Sequence, residues 1–323
     1  MGKSILFRLL TTIAIGLIVV IYFLPIWWVS LKAPNYPPEA FPDGIRIHFH
    51  IDGVFNGCEK RVSEEIHVGE GLDCLHEMDT INHYVGMYPI ASGGIIERTL
   101  SQFLFSFLIV LLIVFMLSGR KLQASALTIG FSIIIAWSYV TLFTSGGIKY
   151  MSPGYQHALQ MSMDMDLDEF QDWSGMQALE ENYQDSLGMY FRDRVKIEKQ
   201  TKVLLKVFNV IVGILLFSML FIIGGIILKN SLFYWLLLII PIALPVFFIF
   251  EYAGWLWWFG HTLHELGAFT LKPFMPTVLG DGKVAQFSTH SYPHYGFFLM
   301  LLSSIFLAFA GLIRKKQLRL ANS

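Results

Sequence analysis

Five side chains that bind soft metal ions lie within fourteen consecutive residues of this chain. They are Cys74, His76, Met78, His83 and Met87. Thiolate, imidazole and thioether groups together favour copper, with zinc as the next choice. The stretch therefore predicts a copper site, or one part of such a site.

The same stretch is predicted to be helical, because neither Pro nor Gly occurs between Cys74 and Gly86. Residues three, four or seven apart share a face of a helix. His76 lies seven residues before His83, and His83 lies four before Met87, so the three are expected to form one stripe. The alternative is an amphipathic helix whose histidines bind nothing. Three ligands on one helix rarely complete a site, so this stretch is expected to need the pair His261 and His264, and the two segments are expected to converge.

Cys58 and Cys74 are the two cysteines of the chain, sixteen positions apart. A disulfide between them would stabilise a domain of about 65 residues, a size at which a hydrophobic core alone is often insufficient. Ligation of a metal by a thiolate is the competing interpretation. If the disulfide forms, the metal ligands must come from His and Met.

The residues from Gly44 to Gly53 alternate between apolar and polar, which predicts a half-buried strand. His48 and His50 would project from its polar face, two residues apart, and such a pair is able to share a metal ion. The polar face of an ordinary surface strand explains the same pattern.

Two more histidine pairs lie near the C-terminus. His261 and His264 are three residues apart, with Glu265 next to them, beside an aromatic cluster typical of a membrane interface. His290 and His294 flank the entrance to the last apolar run. Because Glu265 follows both histidines of its group, the order differs from the HExxH of zinc proteases, and proteolysis is not favoured.

The composition is that of a membrane protein, with 54% hydrophobic and 15% charged residues against about 25% charged in soluble domains. A net charge of −1 without a basic patch gives no reason to expect nucleic acid as a partner. Six apolar runs approach or exceed the length of about 20 residues that crosses a bilayer core. They are Ile5–Trp28, Phe103–Leu117 (beginning near Ile95), Leu127–Phe143, Val203–Leu228, Leu232–Phe250 and Gly296–Ile313.

The predicted fold class is therefore membrane α-helical, with six transmembrane helices and a small α+β extracytoplasmic region. The predicted parts are a first transmembrane anchor (1–30), an extracytoplasmic domain (31–98), a TM2–TM3 hairpin (99–145), an acidic Met-rich extracytoplasmic segment (146–202), a TM4–TM5 hairpin (203–258), a His-rich extracytoplasmic segment (259–294), and TM6 with a basic cytoplasmic tail (295–323). In the Met-rich segment, Met161–Asp168 alternates Met with Ser or Asp, which is typical either of a Cu(I) entry site or of adaptable helix packing.

Basic residues indicate the orientation. The terminal segments and the short loops on their side carry Lys and Arg but no Asp or Glu, so the positive-inside rule makes this side cytoplasmic. The predicted location is the cell inner membrane, multi-pass, with both termini cytoplasmic. All ten His and both Cys then face the periplasm, an oxidising compartment. A basic run at 192–202 opposes this assignment, although acidic neighbours offset it and long loops translocate with little regard to charge.

Two strings carry a resemblance to known sequences. Asn82-His-Tyr-Val-Gly-Met-Tyr-Pro89 and Gly282-Lys-Val-Ala-Gln-Phe-Ser-Thr-His-Ser-Tyr-Pro293 resemble a group of uncharacterised polytopic membrane proteins. That group is associated with copper handling and with accessory functions of nitrous oxide reductase. The resemblance implies a copper-related role, and it carries over no activity and no ligand.

The predicted function is binding of a metal on the periplasmic face, with copper favoured over zinc, in metal delivery or metalloenzyme assembly. The expected partners are membrane lipid and a periplasmic copper protein or metalloenzyme. Two alternatives stay open: a subunit of a membrane-bound metal-dependent oxidoreductase, and a metal-free scaffold whose disulfide-stapled domain docks a partner. A transporter is not favoured, because the apolar runs contain almost no ionisable residues.

Overall fold

The computed structural model describes residues 2–58, 73–89, 94–228, 230–268, 270–284 and 286–322. Its helices are α1 (Gly2–Tyr22), α2 (Cys74–Tyr84), α3 (Ile95–Met116), α4 (Arg120–Phe143), α5 (Pro153–Met163), α6 (Leu167–Phe170), α7 (Gly175–Gly188), α8 (Arg194–Ile227), α9 (Ser231–Ile242), α10 (Leu244–His261) and α11 (Tyr295–Asn322). Its strands are β1 (Trp27–Lys32), β2 (Ile45–Phe49), β3 (Val54–Asn56), β4 (Gly280–Val284) and β5 (Phe287–Pro293).

The long helices match the predicted apolar runs. In the described ranges, α1, α3, α4, α8 and α11 are each long and apolar enough to cross a membrane. The pair α9 and α10, bent by 60° at its junction, makes a sixth if it is counted as one span. A helical protein with apolar helices of membrane-spanning length and a small antiparallel sheet is thus confirmed.

The first and last helices form an antiparallel pair. At one end, the backbone N–H of Gly296 donates to the carbonyl of Pro25 at 2.9 Å. At the other end, the guanidinium of Arg314 lies 4.9 Å from the centre of the Phe7 ring. The two ends of the described chain therefore lie at the same end of the helix bundle, and the sheet lies at the opposite end, here called the sheet side.

The five strands form one antiparallel sheet in the order β3-β2-β1-β5-β4. Val29 of β1 pairs with Ile47 on one side and with Ser291 on the other. The sheet therefore combines strands from the first and third predicted extracytoplasmic segments. Residues 31–98, predicted as an extracytoplasmic domain, therefore share their sheet with residues 280–293, because the central strand β1 pairs with strands from both ends of the chain.

Several predicted boundaries shift for local reasons. The first span ends at Tyr22 instead of Trp28, because Pro25 cannot continue the helix and the following residues form β1. The boundary predicted at 30/31 consequently falls inside a strand. Helix α8 begins at Arg194, nine residues before the predicted boundary, because the side chain of Asp193 accepts a hydrogen bond from the Lys196 N–H and caps it. Helix α10 likewise continues past residue 258.

Helix α2 packs across the sheet. A cluster of buried residues joins the two, made of Leu31, Ile45, Ile47, Val54, Cys74, Met78, Ile81, Val85, Met87 and Phe287. At the edge of this cluster the sulfur atoms of Cys58 and Cys74 lie at disulfide distance, with their Cα atoms 6.1 Å apart. The disulfide prediction is thus supported, and it connects the end of β3 to the first turn of α2.

The acidic Met-rich segment folds into α5, α6 and α7 on the sheet side. Most of its methionines serve packing, since Met151 is buried and Met163, Met165 and Met176 contact the main core. Their role matches the adaptable-packing interpretation of the sequence.

Candidate functional site

The predicted meeting of α2 with the C-terminal histidines occurs at one contact. The ring centres of His83 and His264 lie 4.7 Å apart, with the ring planes 29° from parallel. Tyr190 stacks on His83 at 5.1 Å, and Phe191 meets the edge of His264 at 4.9 Å. Spacing along the sequence thus identified two residues that come together from distant segments.

Hydrogen bonds occupy both ring nitrogens of His264. Nε2 donates to the carbonyl of Met87 at 3.1 Å, and Nδ1 accepts the N–H of Leu266 at 3.1 Å. Because one nitrogen donates and the other accepts, the neutral imidazole has no free lone pair for a metal ion. In this arrangement His264 holds the third segment against the loop that follows α2, and its own N–H adds a bond to the carbonyl of Gly86 at 2.8 Å.

His83 differs from its neighbour because its Nδ1 is buried without a hydrogen-bond partner among the described residues. Burial lowers the pKa of His83. Burial also lowers the pKa of His264, and the nearby His83 ring adds a smaller effect in the same direction. Both rings are therefore neutral at neutral pH. Of the pair, only His83 offers a lone pair without loss of an existing bond.

The other predicted ligands of this group lie apart from the pair. The side chain of His76 is exposed, as is that of Glu265. His261 bonds through Nδ1 to the carbonyl of Trp257 at 2.8 Å and stacks on the same residue. Met87 is 4% exposed within the core of the sheet, beyond the end of α2, so the predicted stripe with His76 and His83 does not form.

A second group of histidines lies where the sheet meets the helices. The ring centres of His48 and His294 are 5.2 Å apart, and His48 Nε2 is buried without a partner. Burial is the main cause that lowers the pKa of His48 to about 4, and the nearby Arg46 and His294 contribute less. Burial likewise lowers the pKa of His50 to about 4, with smaller contributions from His48 and His294. His294 resembles His264, because its Nδ1 accepts the N–H of the next residue at 2.8 Å.

His290 does not join His294 as a pair. Its Nδ1 lies 2.6 Å from Oδ1 of Asp281 on the neighbouring strand, and the hydroxyl of Tyr292 donates to the same oxygen at 3.0 Å. The four-residue separation of the two histidines spans about 13 Å of extended chain. Within the described ranges, no group of three or more His, Cys, Asp and Glu side chains is arranged to hold a metal ion.

A cavity of about 450 Å³, which the sequence did not predict, lies among α3, α9 and α10 and is here called the α3–α10 cavity. Its polar end lies at the sheet side. The polar groups there belong to His50, Glu97, Arg98, Ser101 and Glu251. The rest of the lining is apolar, with Leu104, Phe107, Leu108, Ile239, Leu244 and Phe247 among its members.

An acidic and a basic side chain at the polar end each have an unused hydrogen-bonding atom. The indole N–H of Trp255 donates to Oε1 of Glu97 at 2.9 Å, whereas Oε2 is buried without a partner. The guanidinium of Arg98, 4% exposed, donates to the side-chain oxygen of Asn182, but its Nε is buried without a partner. Burial of ionisable groups with unused hydrogen-bonding atoms is costly, and in a helix of membrane-spanning length it makes them candidates for a binding site.

The cavity has a local cause in the sequence. Pro241 removes a helix hydrogen bond and Pro245 opens a new helix, so the chain turns by 60° between α9 and α10. Helix α9 packs against α3, whereas α10 diverges toward α11. Ile239 and Phe247 on this bent pair are 50% and 64% exposed, so the cavity is continuous with the apolar surface of the helices.

Reasoning from the sequence missed this site because its charged residues fall at the ends of the apolar runs. The second run was expected to begin near Ile95, but Glu97 and Arg98 were not considered as a pair inside it, and the fifth run was ended at Phe250, one residue before Glu251. The available signal was Gly94-Ile-Ile-Glu-Arg-Thr, since a helix that begins at Ile95 takes Glu97 and Arg98 into the span.

No family model, no curated protein and no solved structure matches this chain.

Proposed function

We propose that this is an integral protein of the cell inner membrane with six spans, counting α9 and α10 as one. Both termini are cytoplasmic, and the sheet lies on the periplasmic face. The positive-inside rule supports this orientation, because Arg8 and Arg314 lie at the end of the bundle remote from the sheet.

Within that membrane, the protein binds a phospholipid with an ammonium-bearing, zwitterionic head in the α3–α10 cavity. The observation that carries this proposal is the pairing of an unused carboxylate oxygen on Glu97 with an unused guanidinium nitrogen on Arg98 at one end of an apolar cavity. An ammonium group would bind Glu97 and Glu251, and the adjoining phosphate would bind Arg98, so the unpartnered atoms of Glu97 and Arg98 would both gain partners.

The depth of the cavity supports a lipid of a single leaflet. Along α3, the lining extends from Glu97 to Leu108, a rise of about 16 Å. The hydrocarbon core of a bilayer is about 30 Å thick, so this length matches one leaflet. With the sheet on the periplasmic face, as proposed, a polar end at the sheet side would put the lipid in the outer leaflet.

Native mass spectrometry of the protein in nanodiscs of mixed phosphatidylethanolamine and phosphatidylcholine tests the proposal. The primary ammonium donates hydrogen bonds and the quaternary one does not, so we expect retained phosphatidylethanolamine to be enriched over its bulk fraction. Glu97→Gln with Glu251→Gln should reduce that enrichment about tenfold or more, because charge-assisted hydrogen bonds are lost.

The matched control is Glu39→Gln with Glu169→Gln, which removes two exposed carboxylates of the sheet side. It should retain the enrichment. Equal retention of the two lipids by the unaltered protein would overturn the proposal, as would an equal loss in the control variant.

A metal-handling role is a second proposal, and the close approach of the His48 and His294 rings, whose centres are 5.2 Å apart, favours it. At neutral pH the rings of His48 and His50 are neutral, and Nε2 of His48 has a free lone pair. The ion would be copper, with zinc as the alternative, for delivery to or assembly of a periplasmic copper protein or metalloenzyme.

Metal analysis of the purified protein after incubation with Cu(I) or Zn(II) tests this second proposal. About one equivalent of bound metal should be lost in His48→Asn with His50→Asn and retained in His76→Asn, whose side chain is exposed. Absence of copper and zinc from every preparation would contradict it.

A further inference from the structure

Two lysines of the basic run at 192–202 line a second cavity. A cavity of about 720 Å³ lies between α8 and α10, beside the start of α3 and the end of α7, and is here called the α8–α10 cavity. Lys196, Lys199 and Gln200 line it near the sheet side. Farther along α8 the lining residues are Val203, Leu204 and Val207.

The spacing of these residues places them on one face of α8. They follow Lys196 by three, four, seven, eight and eleven residues, which is the pattern of a single helical stripe. From Lys196 to Val207 the helix rises about 16 Å, again the depth of one leaflet. Val203 and Val207 are 55% and 44% exposed, so the apolar part of the stripe faces lipid. The stripe is thus cationic at its sheet end and apolar along the rest of its length, which makes it complementary to the anionic head and the acyl chain of a phospholipid.

The two ammonium groups are available for a ligand. In the part of the chain that the structure describes, neither Lys196 nor Lys199 has a carboxylate within ion-pair distance. The Lys196 ammonium lies 6.0 Å from the centre of the Phe191 ring. Glu251 also lines the cavity, but it precedes Trp258 on α10 by seven residues and lies about 10 Å deeper.

A hydroxyl completes the polar end. The side-chain amide of Gln200 donates to the Tyr88 hydroxyl oxygen at 3.0 Å. Because that oxygen accepts, the Tyr88 O–H remains able to donate to another acceptor. Two ammonium groups and one directed O–H are a suitable donor set for the oxygens of a phosphodiester.

We propose that the α8–α10 cavity binds one anionic phospholipid of the outer leaflet. Its phosphate contacts Lys196, Lys199 and the Tyr88 hydroxyl, and one acyl chain lies along Val203 and Val207. This site differs from the one proposed in the α3–α10 cavity in its head-group ligands, Lys196, Lys199 and Tyr88, and in the charge of the lipid head. Glu251, Trp255 and Phe259 form a wall common to both cavities.

The test is native mass spectrometry of the full-length protein from nanodiscs of phosphatidylglycerol and phosphatidylcholine. We expect phosphatidylglycerol to be retained above its bulk fraction. Lys196→Gln with Lys199→Gln should reduce this selectivity by about fivefold for each lysine removed. Arg194→Gln with Lys202→Gln removes the same number of positive charges from exposed positions of the same helix outside the cavity, and should leave selectivity unchanged.

Two outcomes would overturn the proposal. Equal loss in the two double variants would mean attraction to the general surface charge of α8. Complete loss of phosphatidylglycerol retention on addition of free glycerol phosphate would mean that the cavity is a simple phosphate site without a groove for an acyl chain. The Lys variants should leave phosphatidylethanolamine enrichment intact, so failure here is distinguishable from failure of the α3–α10 proposal.

Discussion

At the scale of single residues, the histidines illustrate how hydrogen bonding limits what a residue type is able to do. His264 is close to His83, as a shared site requires, yet both of its ring nitrogens are already used by backbone groups. His294 has one nitrogen used in the same way. Residue type and spacing identify which residues approach one another, whereas the availability of lone pairs depends on backbone groups that a sequence does not reveal.

A first prediction separates the structural role of His264 from a ligand role. His264→Gln should lower the free energy of unfolding of the sheet side by about 1–3 kcal/mol, because the buried carbonyl of Met87 and the part-buried N–H of Leu266 lose their partner. His261→Gln, at an exposed position, should change it by about 0.5 kcal/mol or less. Chemical denaturation followed by tryptophan fluorescence measures both. Unchanged stability in the His264 variant, with loss of bound metal, would instead identify His264 as a ligand.

A second prediction concerns pH and the two histidines of β2. The folded protein holds the pKa of His48 and His50 near 4, below the ordinary value of about 6.5. Between these values the unfolded chain binds more protons than the folded one, so stability is fully present above pH 6.5 and decreases as the pH falls toward 4.

Thermal midpoints measured from pH 7 to pH 4.5 check this sign. His48→Asn with His50→Asn should give a shallower decline than the unaltered protein, whereas His76→Asn should not. An identical slope in the β2 variant would show that these two histidines do not contribute.

At the scale of elements, two devices shape the molecule. The proline pair at the junction of α9 and α10 bends one predicted span and opens the cavity beside α3. The Cys58–Cys74 disulfide joins β3 to α2, so the helix that covers the sheet is covalently attached to the sheet.

A third prediction follows from that attachment. A disulfide that closes a loop of about 15 residues stabilises a fold by about 3 kcal/mol, mainly through the unfolded chain. Cys58→Ser with Cys74→Ser should therefore unfold on the sheet side at lower denaturant concentration, and dithiothreitol should have the same effect on the unaltered protein but none on the variant. Equal denaturation curves with and without dithiothreitol for the unaltered protein would contradict this prediction.

At the scale of the whole molecule, periodicity and hydrophobicity were sufficient to predict the long helices, the strand at Ile45–Phe49 and helix α2. They failed where distant segments combine. The pairing of β1 with both β2 and β5 depends on contacts between the two ends of the chain, and no local pattern encodes it. The cavity depends on the divergence of α10 from α3, which turns residues at the ends of apolar runs into its polar lining.

The central claim is that an ammonium-headed phospholipid occupies the α3–α10 cavity with its head at Glu97 and Glu251. Trp255 donates to Glu97 and lines both cavities, so in vesicles without anionic lipid its fluorescence reports occupancy of the α3–α10 cavity. The Trp255 contribution is obtained by subtracting the spectrum of Trp255→Phe from that of the unaltered protein.

The decisive measurement is quenching of that contribution by phosphatidylethanolamine or phosphatidylcholine carrying bromine on the acyl chain, in vesicles of equal bromine content. We predict stronger quenching by the brominated phosphatidylethanolamine, and equal quenching by the two lipids after Glu97→Gln with Glu251→Gln. Equal quenching in the unaltered protein would contradict the account.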